Sequence, residues 1–229
     1  IIVFGFQQTA ITPSLPVVQD DLGASREWTT WLLSGYFIVA SVVSVFLAKV
    51  ADRSGKRRVL VGALGAFFVG SLGAAFAPSI GVLVVCRLVQ GLGGVVFPVS
   101  FAILRDELPE HRVASGIGLL TGGFGIGSLA GYAVGGLITQ TIGWRWIFGL
   151  GAIVVAAATV LIRVVIPRSP SRVDRRLDIP GVLLFGTAVS ATIVGVTEGP
   201  ERGWISPLPL GMFALAVVAA LVWVACELR

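Results

Sequence analysis

A single arginine, Arg87, stands in the apolar stretch VLVVCRLVQGLGGVVF, and Gln90 follows it by about one helical turn. Gln7, Gln8 and Thr12 lie in the apolar segment that opens the chain. A charge inside an apolar span costs about 2.5–3.5 kcal/mol on insertion scales, so it is expected to face an interior or an aqueous cavity. Amides, backbone carbonyls or water can satisfy its five N–H donors. These residue types predict a polar path for substrate or coupling ions across the helices. Alternatively, they form a cluster of polar side chains that only joins the helices structurally.

The residue types that usually carry enzyme chemistry are few and scattered. Cys86 and Cys226 both lie in apolar stretches, where a free cysteine behaves as a small buried hydrophobe. The only histidine, His111, lies in the charged sequence LPEHRV, which is typical of a solvated loop. No serine–histidine–aspartate set, phosphate-binding loop or metal-ligand cluster stands out. The sequence therefore predicts that the chain is not an enzyme and that it uses no cofactor and no metal ion.

The composition indicates a membrane protein. Of the 229 residues, 55% are hydrophobic and only 13% are charged, and the mean hydropathy is +0.94. A soluble domain carries about 25% charged residues. The charges fall in clusters separated by apolar gaps, and a helix needs about 20 apolar residues to cross a bilayer. The gaps predict eight helical spans, at residues 1–17, 30–49, 59–77, 80–104, 113–141, 144–166, 179–197 and 204–226.

The positive charges give these spans an orientation. With the N-terminus inside, thirteen lysines and arginines fall in inner loops, three fall in outer loops and Arg87 lies within a span, which accounts for all 17. Inner loops of membrane proteins carry such an excess. The pI near 10 therefore reflects topology and anionic lipid, with no nucleic acid partner. We predict an integral, multi-pass protein in the lipid bilayer of a bacterial inner (plasma) membrane.

The chain is expected to be a piece of a longer protein. Its only methionine is Met212, and it opens inside an apolar segment, IIVFGF, without the basic lead of a signal peptide. It ends equally abruptly, at ACELR. We therefore expect span 1 to be truncated and the C-terminal half of the same chain to be missing.

Two prolines indicate an internal repeat. Pro13 lies in TAITPSLP of span 1 and Pro98 lies in VVFPVS of span 4, each with a hydroxyl residue nearby. Membrane helices tolerate such breaks where they line a cavity or pack on neighbours. Interrupted helices at corresponding places in two three-helix units point to the substrate path of a transporter. A pair of simple kinks is the alternative interpretation.

The turn between spans 2 and 3 has the sequence AKVADRSGKRRVL. A tight turn at this place needs the backbone freedom of Gly55. Asp52 lies at a helix end beside Arg53, Arg57 and Arg58, where it can pair with a charge or cap a helix terminus. An ordinary positive-inside loop explains the arginines, but it does not explain the spacing Asp-Arg-x-Gly-x-Arg.

These motifs resemble the signatures of the major facilitator superfamily. The first signature is the turn at 52–58, where Ala48 replaces the usual leading glycine, and the second is RLVQGLGG of span 4. The third, the antiporter signature, is matched in span 5 by GSLAGYAVGG, which contains Gly127, Gly131, Tyr132, Gly135 and Gly136. With GWRWIF, LDIPGVLL and TEGPERGW, the chain is similar to the fourteen-span branch of drug:proton antiporters.

The resemblance implies an all-α integral membrane fold. A six-helix domain of two inverted three-helix repeats would occupy residues 1–166, a basic cytoplasmic linker 167–178, and two additional transmembrane helices 179–229. It implies a coupling or gating role for Arg87 and a gating role for the Asp52 turn. It also implies that the glycine face of span 5 closes against a helix of the other half. Packing alone explains that face as well, because small residues let membrane helices approach closely.

The resemblance further implies a secondary active transporter that exports amphipathic organic compounds or drugs in exchange for protons, by alternating access. Two residues depart from the family pattern. Gln7 stands where the branch usually has an acidic residue, and Tyr132 stands where the antiporter signature usually has proline. The alternatives are a proton-independent metabolite exporter or facilitator, and a non-transporting membrane sensor or scaffold on the same fold.

Overall fold

The computed structural model describes residues 1–166 and 179–228, and these residues form helices joined by short turns. The predicted linker at 167–178 and Arg229 lie outside the described residues. Seven helices in the described ranges are long and apolar enough to cross a membrane, when the interrupted helix Ile80–Glu107 is counted as one. The helices are α1 (Ile2–Ala10), α2 (Leu15–Asp21), α3 (Arg26–Ser54), α4 (Lys56–Ala75), α5 (Ile80–Gly91), α6 (Val96–Glu107), α7 (Glu110–Thr141), α8 (Arg145–Val165), α9 (Ile179–Arg202) and α10 (Pro207–Glu227).

The eight predicted spans map onto these helices in order. Span 1 consists of α1 and α2, and span 4 consists of α5 and α6. The other spans are single helices, namely α3, α4, α7, α8, α9 and α10. We call the end of the bundle near Asp52 the inner end and the end near Asp21 the outer end, following the charge-based prediction. The prediction of an all-α membrane fold is confirmed.

Spans 1 and 4 are interrupted at the places that the prolines indicate. In span 1, the 3₁₀ turn Thr12–Ser14 separates α1 from α2 and contains Pro13. In span 4, the 3₁₀ turn Leu92–Val95 separates α5 from α6, just before Pro98. Proline has no backbone N–H, so one helical hydrogen bond to the preceding turn is missing at each of these prolines. The two interrupted spans therefore occupy corresponding positions in the chain.

Three of the contacts among the first six spans are related by exchange of two three-span units. α1 of span 1 packs along α7 of span 5, and α5 of span 4 packs along α3 of span 2. Exchanging spans 1, 2 and 3 with spans 4, 5 and 6 converts the first pair into the second. Spans 3 and 6 pack on each other, as the same exchange requires. This contact pattern is that of two repeated three-helix units.

Glycine permits the close approach in both of these equivalent pairs. In the first pair, a Cβ atom at Gly127 would lie 2.0 Å from the carbonyl oxygen of Ile2. In the second, a Cβ atom at Gly94 would lie 2.8 Å from the carbonyl oxygen of Ala40. Both distances are too short for any side chain. The helices therefore touch backbone to backbone, a packing mode that small residues allow in lipid.

The two additional helices, α9 and α10, pack on each other, and α9 packs on α3. Thr197 Oγ1 donates to Ser34 Oγ at 2.8 Å across this contact. At the outer end, Arg202 pairs with Glu198 of its own helix and lies 3.9 Å from a carboxylate oxygen of Glu27 on α3. Spans 7 and 8 therefore extend the bundle on the side of span 2.

Candidate functional site

The centre of the bundle holds a fully buried arginine on α5. Arg87 has no exposed surface. Its Nε donates to the carbonyl oxygen of Leu32 at 3.1 Å, its Nη1 to Gln90 Oε1 at 2.9 Å, and its Nη2 to Gln8 Oε1 at 3.5 Å. Its guanidinium carbon lies 4.7 Å from the centroid of the Tyr36 ring, within the cation–π range. Neutral groups from spans 1, 2 and 4 therefore surround the charge.

A row of polar side chains continues from Gln90 to span 6. Gln90 Nε2 donates to Ser71 Oγ at 2.7 Å, and Ser71 Oγ donates to Gln7 Oε1 at 3.2 Å. Gln7 Nε2 then donates to the carbonyl oxygens of Ile147 and Phe148, at 3.2 and 3.3 Å. We call this set of connected side chains the Arg87 network. Its members are Gln7, Gln8, Tyr36, Ser71, Arg87 and Gln90.

The Arg87 network has no carboxylate in the described part of the chain. Amides, hydroxyls and a phenol are all uncharged in the physiological pH range. The network therefore carries one positive charge throughout the physiological pH range. Chemically, it can orient polar groups and attract a negative or strongly dipolar group, but none of its described members is an acid that could release a proton.

Two glycines make room for the Arg87 network. A Cβ atom at Gly151 would lie 1.9 Å from Gln7 Nε2, and one at Gly70 would lie 2.8 Å from Gln90 Cγ. Any side chain at Gly151 would displace the Gln7 amide from the carbonyl groups of α8. Neither glycine was part of the predicted site. Nothing in the sequence distinguishes them from the many other glycines in these spans.

The structure brings together four of the five predicted pathway residues. Gln8 contacts Arg87 directly, whereas Gln7 reaches it only through Ser71 and Gln90. The fifth residue, Thr12, is exposed and lies outside the network. Sequence reasoning missed Ser71 and Tyr36. A lone serine or tyrosine in an apolar helix carries no signal that it faces an arginine from another helix.

The predicted gating turn lies at the inner end, between α3 and α4. Gly55 has a φ angle of +99°, a backbone conformation that glycine adopts without strain. Lys56 forms an ion pair with Asp106 at the end of α6, at 2.6 Å. Arg57 donates to the carbonyl oxygen of Arg163 near the end of α8. The turn is therefore tied to the inner ends of spans 4 and 6.

The other residues of this turn face outward. Asp52, Arg53 and Arg58 are exposed, and Asp52 has no hydrogen-bond or ion-pair partner among the described residues. The predicted site did not include Lys56 or its partner Asp106. Asp106 belongs to the charge cluster RDELPEHR after span 4, and that sequence alone does not show which acid reaches the turn.

The residues that match the antiporter signature lie on different sides of α7. Gly127, Gly131 and Gly135 all face α1, and a Cβ atom at any of them would come within 2.6 Å of the α1 backbone or its side chains. Span 1 covers these three glycines in the structure, and the expectation that this face closes against a helix of the other half stays a prediction. Tyr132 is 62% exposed, and Gly136 has room for a side chain.

The fold and the signatures identify the family of the chain. The sequence pattern of the Major Facilitator Superfamily matches residues 1–226. The chain belongs to the Major Facilitator Superfamily. It is accordingly a transporter-family protein and not an enzyme.

Relatives of this Major Facilitator Superfamily chain include resistance and export proteins. The tetracenomycin C resistance and export protein of Streptomyces glaucescens is 29% identical, over 96% of this chain and 41% of the relative. The multidrug resistance protein B homolog of Mycobacterium tuberculosis is 33% identical, over 88% of this chain and 38% of the relative. The methylenomycin A resistance protein of Streptomyces coelicolor is 32% identical, over 93% and 45% respectively. The chain thus spans about two fifths of the length of these relatives.

Solved structures of superfamily members share the fold. The proton:xylose symporter XylE, bound to 6-bromo-6-deoxy-D-glucose, matches 97% of this chain and 49% of its own with a TM-score of 0.66. The POT family transporter PepTSo matches 98% of this chain and 51% of its own with a TM-score of 0.61. The sequence identities are 17% and 15%, so these likenesses concern the fold alone.

Proposed function

We propose that this chain forms half of the transport path of a secondary active transporter, which exports amphipathic organic compounds in exchange for protons by alternating access. The observation that carries the proposal is the fully buried Arg87, which joins the interrupted spans 1 and 4. Intramembrane charges mark substrate or ion paths, and interrupted helices mark the sites of transporters. The names of the resistance and export relatives support the direction of transport.

The proposal includes the organisation and surroundings of the chain. Residues 1–166 form the six-helix domain, 167–178 the cytoplasmic linker, and 179–229 the two additional helices. A C-terminal half of the same protein supplies the other side of the path, in keeping with the greater length of the relatives. The protein resides in a bacterial inner (plasma) membrane, as its Streptomyces and Mycobacterium relatives suggest. Its partners are the lipid bilayer, a small organic substrate and protons.

A proton-independent metabolite exporter or facilitator is the second candidate, and Gln7 favours it. The Gln7 amide occupies the position at which the fourteen-span antiporters usually have an acid, and the described Arg87 network contains no carboxylate. Under this candidate, Arg87 serves the substrate or the gate and the pH gradient does not drive transport.

Flux through the reconstituted full-length protein separates the two candidates. We expect proteoliposomes to accumulate ethidium, an amphipathic cation, against its concentration gradient when a pH gradient is imposed. Without the pH gradient, uptake should stop at equilibrium. Flux that is equal with and without the gradient would support the facilitator. Failure to move cationic, anionic and neutral amphiphiles alike would support the sensor or scaffold on the same fold.

The exposed Asp52 provides a test of the gating turn. Asp52→Asn is expected to leave the amount of folded protein in the membrane unchanged, because no described residue depends on this carboxylate. Transport should nevertheless fall, because the change removes a negative charge beside Arg53, Arg57 and Arg58 and shifts the balance between access states. Glu107→Gln, an exposed acid at the same end, is the matched control and should transport normally. Normal flux in Asp52→Asn would mean that the turn only sets topology.

A further inference from the structure

Spans 3 and 6 leave a groove between α4 and α8 in the outer half of the bundle. Its volume is about 670 Å³. Gly149 and Ala152 contribute small surfaces to it, while Phe76, Trp146 and Ile153 contribute large side chains that are half exposed or more. Along α8 the lining residues run from Arg145 to Ala156, which is ~16 Å of helix. That length is close to one leaflet of a hydrocarbon core of about 30 Å, so the groove is one leaflet deep.

The outer mouth of the groove carries a fixed cation. Arg145 lines the groove, and its side chain is 41% exposed. Its Nη1 donates to Asp21 Oδ2 at 2.6 Å, its Nη2 donates to the carbonyl oxygen of Ala77 at 3.3 Å, and its guanidinium carbon lies 4.4 Å from the centroid of the Trp144 ring. These contacts hold the guanidinium in place, and its Nε has no partner among the described residues.

A carboxylate lies next to this cation with one oxygen free. Trp144 Nε1 and Arg145 Nη1 both donate to Oδ2 of Asp21, and Oδ1 has no partner in the described ranges. The side chain is 44% exposed, at the last residue of α2 and beyond the apolar part of span 1. The indole N–H and the guanidinium lower the pKa of Asp21 from its ordinary value, so the carboxyl is ionised near neutral pH.

We propose that this groove is a binding site for one phospholipid of the outer leaflet, whose headgroup carries a phosphodiester and a primary ammonium, as in phosphatidylethanolamine. An acyl chain fills the apolar groove. The phosphodiester accepts from the free donors of Arg145, and the ammonium donates to Oδ1 of Asp21. Because the mouth carries one positive and one negative charge, it matches a zwitterionic headgroup better than an anionic one. A quaternary ammonium has no N–H to donate, so phosphatidylcholine fits less well.

Photolabelling of the full-length protein tests the site. The probe is a phosphatidylethanolamine with a photoactivatable diazirine on its acyl chain, in vesicles of phosphatidylcholine, and the labelled residues are mapped by mass spectrometry. We expect labelling to concentrate on α4 and α8 around the groove. Gly149→Leu, whose Cβ has ordinary contact distances to its neighbours, fills the groove and should reduce labelling to background. Ile153→Trp changes a different wall position of the groove, which is 62% exposed. Its larger side chain also fills the groove and should likewise reduce labelling.

The matched control is Gly62→Leu, because Gly62 lies on α4 in open space and its replacement leaves the groove empty. Its labelling should equal that of the parent protein. Asp21→Asn tests the headgroup. Unlabelled phosphatidylethanolamine should displace the probe about two- to fivefold better than phosphatidylcholine in the parent protein, and this preference should vanish in the variant.

Three results would overturn the proposal. Even labelling of all lipid-facing helices would indicate annular lipid without a site. Equal displacement of the probe by the two lipids in the parent protein would show that the charged mouth does not distinguish their headgroups. Absence of labelling in the parent protein would show that another part of the chain covers the groove.

Discussion

Arg87→Ala in the full-length protein is expected to abolish substrate flux. The change removes the donors that satisfy the Leu32 carbonyl and the side chains of Gln8 and Gln90. Each buried acceptor that loses its donor costs about 1–3 kcal/mol of stability. It also removes the only charge of the network, which we propose as part of the transport path. Flux in proteoliposomes and the amount of folded protein in the membrane should be measured on the same preparations.

Arg87→Lys should restore flux poorly, even though it keeps the charge. The ammonium of lysine lacks the planar fork of five donors that reaches the three acceptors at once. The matched control is Arg112→Lys, the same substitution at an exposed arginine outside the site, and its flux should equal that of the parent. A folded Arg87→Ala protein that transports normally would exclude this arginine from the path. If both Arg87 variants lose folded protein and the folded remainder still transports, the arginine is structural.

Gln7→Glu should make the protein sensitive to high pH. The Gln7 amide nitrogen donates to two carbonyl oxygens of α8, and a carboxyl group can reproduce one such contact only while it is protonated. Ionised, it would direct a buried negative charge at carbonyl oxygens. The folded state therefore binds the proton more tightly than the unfolded state, so stability is present at low pH and is lost as the pH rises. The melting temperature of the variant, relative to that of the parent at the same pH, should fall between about pH 5 and about pH 9.

Gln8→Glu is a control with the opposite expected sign. Gln8 Oε1 accepts from Arg87 at 3.5 Å, so a carboxylate in its place faces a cation and is favoured in its ionised form. Its stability should hold at high pH and fall as the pH is lowered. Equal losses at high pH in both variants would indicate a general effect of added negative charge. If the stability of the Gln7→Glu protein does not depend on pH, the carbonyl contacts do not control the protonation of the side chain at position 7.

The membrane spans could be predicted because their signal is local. A run of about 20 apolar residues between charge clusters is sufficient to define a span, whatever packs against it. The helix ends were less well predicted. α3 continues to Ser54, beyond the predicted end at residue 49, and α9 continues to Arg202, beyond 197. Charged residues stay helical where a helix leaves the bilayer, so the start of a charge cluster does not mark the end of a helix.

The candidate site was only partly visible in the sequence. Arg87 and Gln90 stand out because they are polar in an apolar span, and Gln7 and Gln8 stand out for the same reason. The side chains that these residues contact do not stand out in the sequence. Ser71 links the two glutamines Gln7 and Gln90, yet serine is common in membrane helices and signals nothing by itself.

By itself, the sequence determined that this chain is a helical, multi-pass membrane protein with an arginine inside an apolar span, because hydropathy and charge act on each segment separately. The tertiary structure alone decided how that arginine is satisfied. Gln7 hydrogen-bonds carbonyl groups about 140 positions away, and it does so only because Gly151 has no side chain there. The glycine face of α7 likewise meets α1. Such contacts depend on which helix faces lie against each other, and helix packing sets that relation across the whole bundle.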